Sequence, residues 1–370
     1  MSRIAMTGVG RFAAVTAVLL LAGILLVWTR HDAREAQMLS RLSLVSSLRS
    51  GGILAEFNSV RSDAVLWSGF CNVSQRLMDL DEARGDLGPG ATERLQRLYL
   101  TANPYPEGER HLLSDAADGS RYSGIHAEFH PRIGEFLSVH DYYDLFLVDP
   151  AGRVVYSFYK EEEFGSDLVA GPWKDTGAGR AARAARVLGE GQTAISDFEP
   201  YEPSRGQWAM FLAAPITLSG GPGNKGALMF QLDARRLGLH LPRIQTRSAP
   251  AETVLLGSSY RILGQAPWIE ATETEGSSLD AVARARAVEG GEGSALLETE
   301  SGDRVLAAWN PISFEGMSWV VLTSIDASAI WADGASERRA IALIGLLVWL
   351  AGAVLTLGRR RPQELGQHRL

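Results

Sequence analysis

Two long uncharged segments near the ends of the chain enclose a region of mixed polarity. Residues 12–29 contain 18 residues without a charge, and residues 340–358 contain another 19. Because a hydrocarbon core of about 30 Å needs roughly 20 apolar helical residues, both segments are long enough to span a membrane. The first segment also suits a secretory signal, but it ends in Leu-Val-Trp-Thr-Arg rather than at a small-residue cleavage site. We therefore expect two transmembrane helices.

Positive residues that flank these segments predict their orientation. An arginine triplet at 359–361 follows the second segment, and Arg3 and Arg11 precede the first. Because lysine and arginine favour the cytoplasmic side, we expect both termini in the cytoplasm and residues 30–339 outside it. The expected cytoplasmic parts, which leave no room for an output domain, are 1–11 and 359–370.

The hydrophobic period changes along the region between the segments. Apolar positions near 3.6 spacing predict a long helical stalk over 30–90 that pairs two copies, with a kink or a break at Gly51 and Gly52. Alternating runs then predict strands over 143–149, 153–159, 193–198, 208–216 and 226–232, with a helix over 176–188. After a connecting helix over 234–246, a smaller copy of the same order has strands over 253–256, 260–263, 294–299, 304–310 and 319–325 and a helix over 279–288.

This order predicts an α+β fold with two tandem antiparallel-sheet modules of the PAS-like type. We place the membrane-distal module over 91–233 and the membrane-proximal module over 234–335. The long stalk helix precedes them, and the two transmembrane helices flank the whole.

Composition and charge narrow the functional classes. The net charge of −7 argues against a nucleic-acid partner, whose binding domain would be basic. A single cysteine and seven scattered histidines give no zinc or iron–sulfur pattern, so neither a metal nor another cofactor is predicted. No Gly-x-Ser-x-Gly, Walker or His-Glu-x-x-His motif occurs, and we expect no enzyme.

Several motifs between residues 95 and 235 follow the order found in one known family. They are LQRLYLTANPYPEGERHLL from Leu95, YYDLFLVDPAG from Tyr142, FGSDL from Phe164, GPWKD from Gly171 and FEPYEPS from Phe198. In these motifs the chain resembles the extracytoplasmic sensory region of bacterial double-Cache receptors, which include methyl-accepting chemotaxis receptors. The resemblance implies a ligand sensor in the bacterial inner membrane. The output half of those receptors is missing, and so is the Arg and Trp-Tyr signature of amino-acid binding.

In Cache sensors the ligand lies between the distal sheet and the segment that joins its second strand to the helix. The resemblance therefore implies a set of ligand-binding residues in that segment and on later strands, namely Tyr159, Lys160, Trp173, Asp175, Asp197, Tyr201, Phe211 and Gln231. Aromatic walls would exclude water while a charged group fixes one end of a polar solute. The plainer interpretations are that Trp173 seals the segment onto the core, that Tyr159 is a strand residue, and that the KEEE run at 160–163 is a solvated turn.

Two functional hypotheses follow from this reading. In the first, the extracytoplasmic modules bind a small molecule of unknown class, or a protein, and a homodimer in the lipid bilayer passes the signal laterally to a separate partner. In the second, the chain is a structural or accessory membrane subunit whose modules form a protein-interaction surface.

His126 and His130 share one helix face, for which helix packing is favoured over metal binding.

Overall fold

The computed structural model describes residues 8–218, 223–238, 244–245, 250–257, 262–265, 291–298, 302, 304–328 and 335–358. Its α-helices are α1 (Gly8–Ser68), α2 (Cys71–Asp86), α3 (Ala91–Gln96), α4 (Arg121–His140), α5 (Gly177–Ala185), α6 (Ala234–Gly238) and α7 (Ala335–Gly358). A π-helical turn, Arg97–Thr101, extends α3, and short 3-10 turns lie at Arg110–Leu112 and Glu202–Ser204.

The strands form two antiparallel sheets. The first sheet contains β1 (Asp144–Val148), β2 (Val154–Ser157), β3 (Ala194–Ile195), β4 (Glu199–Tyr201), β5 (Gln207–Thr217) and β6 (Lys225–Asp233). The second sheet contains β7 (Ile244–Gln245), β8 (Pro250–Leu256), β9 (Ile262–Gln265), β10 (Gly293–Glu298), β11 (Arg304–Phe314) and β12 (Met317–Asp326).

The two sheets share one topology. The first has the order β2-β1-β6-β5-β3, with β4 also paired to β5. In the second, β9 pairs with β8, β8 with β12, β12 with β11 and β11 with β10, which repeats the five-strand order of the first sheet. The sixth strands differ, because β7 pairs with β8 whereas β4 pairs with β5. The α+β class and the repeated sheet predicted from the sequence are therefore confirmed.

One apolar stripe on α1 joins both sheets. Its buried apolar residues are Met38, Leu42, Ile53, Phe57, Val60 and Ala64. They are spaced by three or four residues, as expected for one face of a helix, except between Leu42 and Ile53, where Ser46, Arg49 and Ser50 take the buried positions. Met38 and Leu42 pack on the second sheet, whereas the stripe from Ile53 onward belongs to a core shared by both sheets. The α1 helix therefore serves as a common support for the two sheets.

Trp319 of β12 lies where the two sheets meet. Its ring packs edge-on against Phe57 of α1 at 5.1 Å between centroids and lies 5.9 Å from the ring of Phe198. Its indole nitrogen donates a 3.0 Å hydrogen bond to Oδ1 of Asp197. Because a buried indole N–H needs an acceptor, Asp197 is a structural partner at this junction.

Of the kink or break expected at Gly51 and Gly52, the break is wrong, because α1 runs without interruption from Gly8 to Ser68. A glycine inside a helix costs only about 0.5–1 kcal/mol, which the packing of the flanking stripe residues outweighs. The connecting helix predicted over 234–246 is also shorter than expected: α6 ends at Gly238, and 244–245 form β7. The helix predicted over 279–288 lies outside the described residues.

The apolar ends of the chain form helices that lie side by side. In the part of the chain that the structure describes, one helix, Ala13–Ser68 within α1, passes the length and composition test for a membrane span. The second predicted span corresponds to α7, which contacts α1 along a groove lined by residues such as Ile24, Trp28, Ile341 and Trp349. By this test, one of the two expected membrane spans is found among the described residues.

Two glycine-to-alanine substitutions test how α2 packs on the first sheet. A Cβ at Gly226 of β6 would collide with Leu77 of α2 and would lie 2.6 Å from the carbonyl oxygen of Val148. We expect G226A to lower the free energy of unfolding by about 1–3 kcal/mol, as overpacking of a core does. At Gly51, by contrast, a Cβ meets nothing within 4 Å, so G51A should raise stability by about 0.5–1 kcal/mol.

Chemical unfolding of the full chain in detergent, followed by circular dichroism, measures both changes. Equal stability of G226A and the wild type would contradict the packing of α2 described above.

Candidate functional site

The first sheet presents two different faces. One face, which we call the α1 face, carries Leu145, Leu147 and Phe230 into the core shared with α1 and α2. The opposite face, which we call the α5 face, carries Phe146, Phe211 and other apolar residues beneath α5. The alternation of side chains along each strand therefore connects the two faces through the same backbone.

The helix that covers the α5 face is held by small side chains. Ala178, Ala181, Ala182 and Ala185 of α5 are all buried, and their spacing places them on one side of the helix. Thr176 caps the helix by accepting a hydrogen bond from the amide of Gly179. Because alanine has no side chain beyond Cβ, α5 lies close to the sheet over its apolar half.

Toward the start of β1 and the end of β6, the α5 face becomes polar. A group of side chains from β1, β4, β6 and the following turns lies here, and we call it the polar cluster: Tyr143, Asp144, Glu161, Glu163, Tyr201, Ser204 and Gln231. Strand register brings some of these together, because Asp144 pairs with Gln231 and Gln231 with Phe211.

Asp144 is fully buried and fully hydrogen-bonded. Its carboxylate accepts from the amides of Leu145, Phe158 and Tyr159 and from the hydroxyl of Ser157, at 2.6–3.1 Å. Burial and the nearby charge of Glu161 raise the pKa of Asp144 to about 7, although the amide donors oppose this rise. Asp144 thus fixes the backbone where β2 passes into the following turn.

Glu161 is the centre of a hydrogen-bond chain within the polar cluster. Its Oε1 accepts from the Tyr143 hydroxyl at 2.6 Å, and its Oε2 accepts from the Ser204 hydroxyl at 2.5 Å. The Ser204 oxygen in turn accepts from Nε2 of Gln231 at 2.9 Å. Burial raises the pKa of Glu161, while these hydroxyl donors lower it.

Three members of the polar cluster keep unsatisfied polar atoms. In the described part of the chain, no other residue donates to either carboxylate oxygen of Glu163, and the Tyr201 hydroxyl and the Gln231 carbonyl oxygen have no partner. Glu163 and Tyr201 are fully buried. Burial raises the pKa of Glu163 well above its ordinary value, and the charges of Glu161 and Asp144 raise it further. Because buried polar groups normally have partners, this concentration points to a binding site.

Lys160 lies on the other side of the same turn. Its Nζ is 3.1 Å from Nε2 of His130 on α4 and donates to the carbonyl of Phe158, also at 3.1 Å. Burial lowers the pKa of Lys160 to about 7. Its backbone has a φ of 58°, a left-handed conformation that is uncommon for a residue with a side chain. Lys160 therefore ties the turn to α4.

His126 and His130 form part of the buried face of α4. Their rings stack at 4.7 Å, and Nδ1 of His130 lies 2.8 Å from the Tyr156 hydroxyl. Burial and the charge of Lys160 together lower the pKa of His130 to about 3. Among the described residues no group of His, Cys, Asp or Glu has the arrangement of a metal site, and the packing role favoured for these histidines matches their burial.

The structure brings together only part of the predicted residue set. Tyr201, Phe211 and Gln231 meet on the α5 face, with the rings of Tyr201 and Phe211 edge to face at 4.8 Å. Tyr159 stacks on Tyr143 at the margin, 4.7 Å between centroids, and half-buried Trp173 packs against the apolar half of the face. The rest lie elsewhere: Asp175 is exposed, Asp197 bonds Trp319 at the sheet junction, and Lys160 faces α4.

Sequence reasoning missed Glu161 and Glu163, and the interpretation of the KEEE run as a solvated turn is wrong. Of this run only Glu162 is exposed. Charged runs are usually hydrated, and the hydroxyls that donate to Glu161 belong to Ser204 and Tyr143, which are far away in sequence. The available signal was the aromatic residues on both sides, Phe158-Tyr159 and Phe164, because such flanks are unusual for an exposed turn.

Comparisons with known proteins give structural neighbours only. No family model matches the chain, and no curated protein matches it. The chain is similar to the extracellular domain of soHK1S-Z6, assigned as a histidine kinase, at 13% identity and a TM-score of 0.46, over 81% of this chain and 98% of that one.

Two ligand-binding domains of Pseudomonas aeruginosa PAO1 chemoreceptors are also similar. For PctC in complex with GABA, the identity is 12% and the TM-score 0.44, over 78% of this chain and 100% of that one. For PctB in complex with L-Arg, the identity is 18% and the TM-score 0.36, over 66% and 88%.

The buried position of Lys160 predicts a pH dependence of stability. A folded-state pKa of about 7, below the ordinary 10.5, means that the unfolded chain holds this proton more tightly. The contribution of Lys160 to stability is therefore unfavourable at neutral pH and is relieved as the pH rises from about 7 toward 10.5. We expect K160M to flatten this rise.

Melting temperatures of the full chain at a series of pH values measure the effect. K174M, at an exposed lysine of the same segment, should keep the wild-type profile. A K160M profile that parallels the wild type over this range would contradict the burial of the amine.

Proposed function

We propose that this chain is a membrane-anchored extracytoplasmic sensor that binds a small polar solute at the polar cluster. The observation that carries the proposal is the set of buried, unpartnered polar atoms on Glu163, Tyr201 and Gln231. Leaving such atoms unpaired costs about 1–3 kcal/mol each, so a site that persists in this form is best explained by a ligand that supplies the missing partners. The aromatic rings of Tyr201 and Phe211 provide an apolar wall beside them.

The structure offers a direct route from this site to the membrane segment. β1 and β6 carry Asp144 and Gln231 on the α5 face, and the same strands carry Leu145 and Phe230 into the core on the α1 face. A solute that draws the turn after β2 toward the sheet would shift these strands against α1. Helix displacements of about 1–2 Å are sufficient to change the state of a packed assembly. Because α1 continues into the apolar segment at 13–29, the displacement reaches the proposed anchor.

Other parts of the proposal concern the assembly. We propose that two copies pair through α1, that α7 is a second membrane helix, and that the signal passes to a separate partner. The accessory-subunit hypothesis differs on one point, since it requires no solute at the polar cluster.

The Tyr201 hydroxyl provides a test in which stability and binding change in different directions. It has no partner in the described part of the chain, so Y201F should leave the melting temperature unchanged or slightly raised. If the solute bonds to this hydroxyl, Y201F should weaken solute binding about tenfold, equivalent to ~1.4 kcal/mol. A metabolite library screened by thermal shift against the full chain in nanodiscs identifies the solute, and calorimetry then measures its affinity.

Tyr122 supplies the matched control. Its hydroxyl donates a 2.6 Å bond to the carbonyl of Val155 on the other side of the sheet, so Y122F should destabilise the protein by about 1–3 kcal/mol and leave solute affinity unchanged. A library without any stabilising solute would favour the accessory role instead.

A further inference from the structure

The charges around the polar cluster are unbalanced. Asp144, Glu161 and Glu163 are all buried carboxyl groups, and they are the charges that act most strongly on the Tyr201 hydroxyl. The charges that act most strongly on Glu163 itself are those of Glu161, Asp144 and Glu162, all of the same sign. A carboxylate held in this position lacks the positive partner that buried charges require.

Three basic residues lie near the cluster and have partners of their own, although the charges of Lys160 and Arg205 also act on Asp144 and Glu161. The Lys160 amine faces His130 and the carbonyl of Phe158 on the α4 side of the turn. Arg205 is exposed and pairs with Glu107, and Arg235 pairs with Asp233. None of these three is hydrogen-bonded to Glu163 in the described part of the chain. In the described part of the chain the carboxylate of Glu163 has no positive partner, so a bound molecule would have to supply one.

The unsatisfied atoms of the site are mainly acceptors. Both oxygens of Glu163 and Oε1 of Gln231 can only accept when the acid is ionised, and the Tyr201 hydroxyl can do either. An ammonium group carries several donors and a positive charge, which matches this set. The edge-to-face rings of Tyr201 and Phe211 add aromatic surface, to which organic cations are attracted.

We infer that the polar cluster binds a small organic cation with a primary or secondary ammonium group, held by the carboxylate of Glu163 with Gln231 and Tyr201. The inference rests on the proposed sensor function and specifies its ligand class. A bare metal ion is a poorer match, because no metal-binding group of acidic and histidine side chains is present among the described residues. A carboxylate ligand is disfavoured, because it would bring further acceptors and a negative charge to a site whose unsatisfied atoms are mainly acceptors beside buried acids.

Matched probes of different charge test the ligand class. Calorimetry on the full chain in nanodiscs compares ethanolamine and phenethylamine with the neutral ethylene glycol and phenethyl alcohol and with the anionic glycolate and phenylacetate, and calcium chloride serves as the metal probe. We expect binding of at least one amine in preference to its neutral and anionic counterparts. Because burial favours the protonated form of Glu163 in the free protein, amine binding should release a proton, and its heat should depend on the ionisation enthalpy of the buffer.

A pair of neighbouring substitutions locates the binding charge. E163Q keeps the shape of the buried side chain and should reduce amine affinity at least tenfold without lowering the melting temperature, whereas E162Q, at the exposed neighbour, should bind as the wild type does. The proton release in the wild type gives the second readout should E163Q fold poorly.

The outcomes separate the ligand class from the sensor function. Tighter binding of a neutral, anionic or calcium probe, or equal amine affinity in E163Q and the wild type, overturns the inference and leaves the sensor proposal standing. Absence of binding by every probe, together with a library screen without a hit, counts against both.

Discussion

The structure depends on the packing of one helix against two sheets. Each antiparallel sheet must bury at least one apolar face, and both place that face against the same stripe of α1. The stripe extends from Met38 to Ala64, roughly 40 Å of helix at about 1.5 Å per residue. A change in how either sheet packs therefore acts on a single rigid rod. The continuity of α1 through Gly51 and Gly52 matters for this reason, since a hinge there would separate the two sheets mechanically.

Burial of charge defines the other face of the first sheet. The α1 face is apolar across its width, whereas the α5 face changes from alanine and phenylalanine to a group of acids and hydroxyls within a few residues of the same strands. Asp144 is compensated by its hydrogen bonds, which explains it as a structural residue. Glu163 has no comparable set of hydrogen bonds, so its burial reduces the stability of the fold. The ligand proposed above would account for the burial of Glu163, whereas packing among the described residues does not.

The sequence allowed much of the fold to be predicted, because hydrophobic period reports directly on burial. The apolar runs of β1, β5, β6, β11 and β12 and the repeated strand order were recognisable for this reason. The site was only partly predictable. Tyr201, Phe211 and Gln231 lie on strands whose facing is set by alternation, but Glu161 and Glu163 lie in a turn whose burial is decided by Ser204 and Tyr143. Asp197 shows the converse error: its position resembles a site residue, yet Trp319 of the other sheet takes its carboxylate.

The turn after β2 has side chains that contact groups on both sides of the first sheet. These contacts give the proposed sensor a simple means of response. Lys160 extends from it toward His130 on α4, while Glu161 and Glu163 extend toward the polar cluster. The left-handed backbone at Lys160 makes these opposite directions possible within consecutive residues. In the proposed sensor, a ligand bound by Glu161 and Glu163 would therefore change the position of the Lys160 amine, which contacts His130 on α4. A ligand can shift the turn only by as much as its affinity differs between the two positions of the turn. A ligand that contacts the buried acids can differ more in affinity between these positions than one bound at the surface.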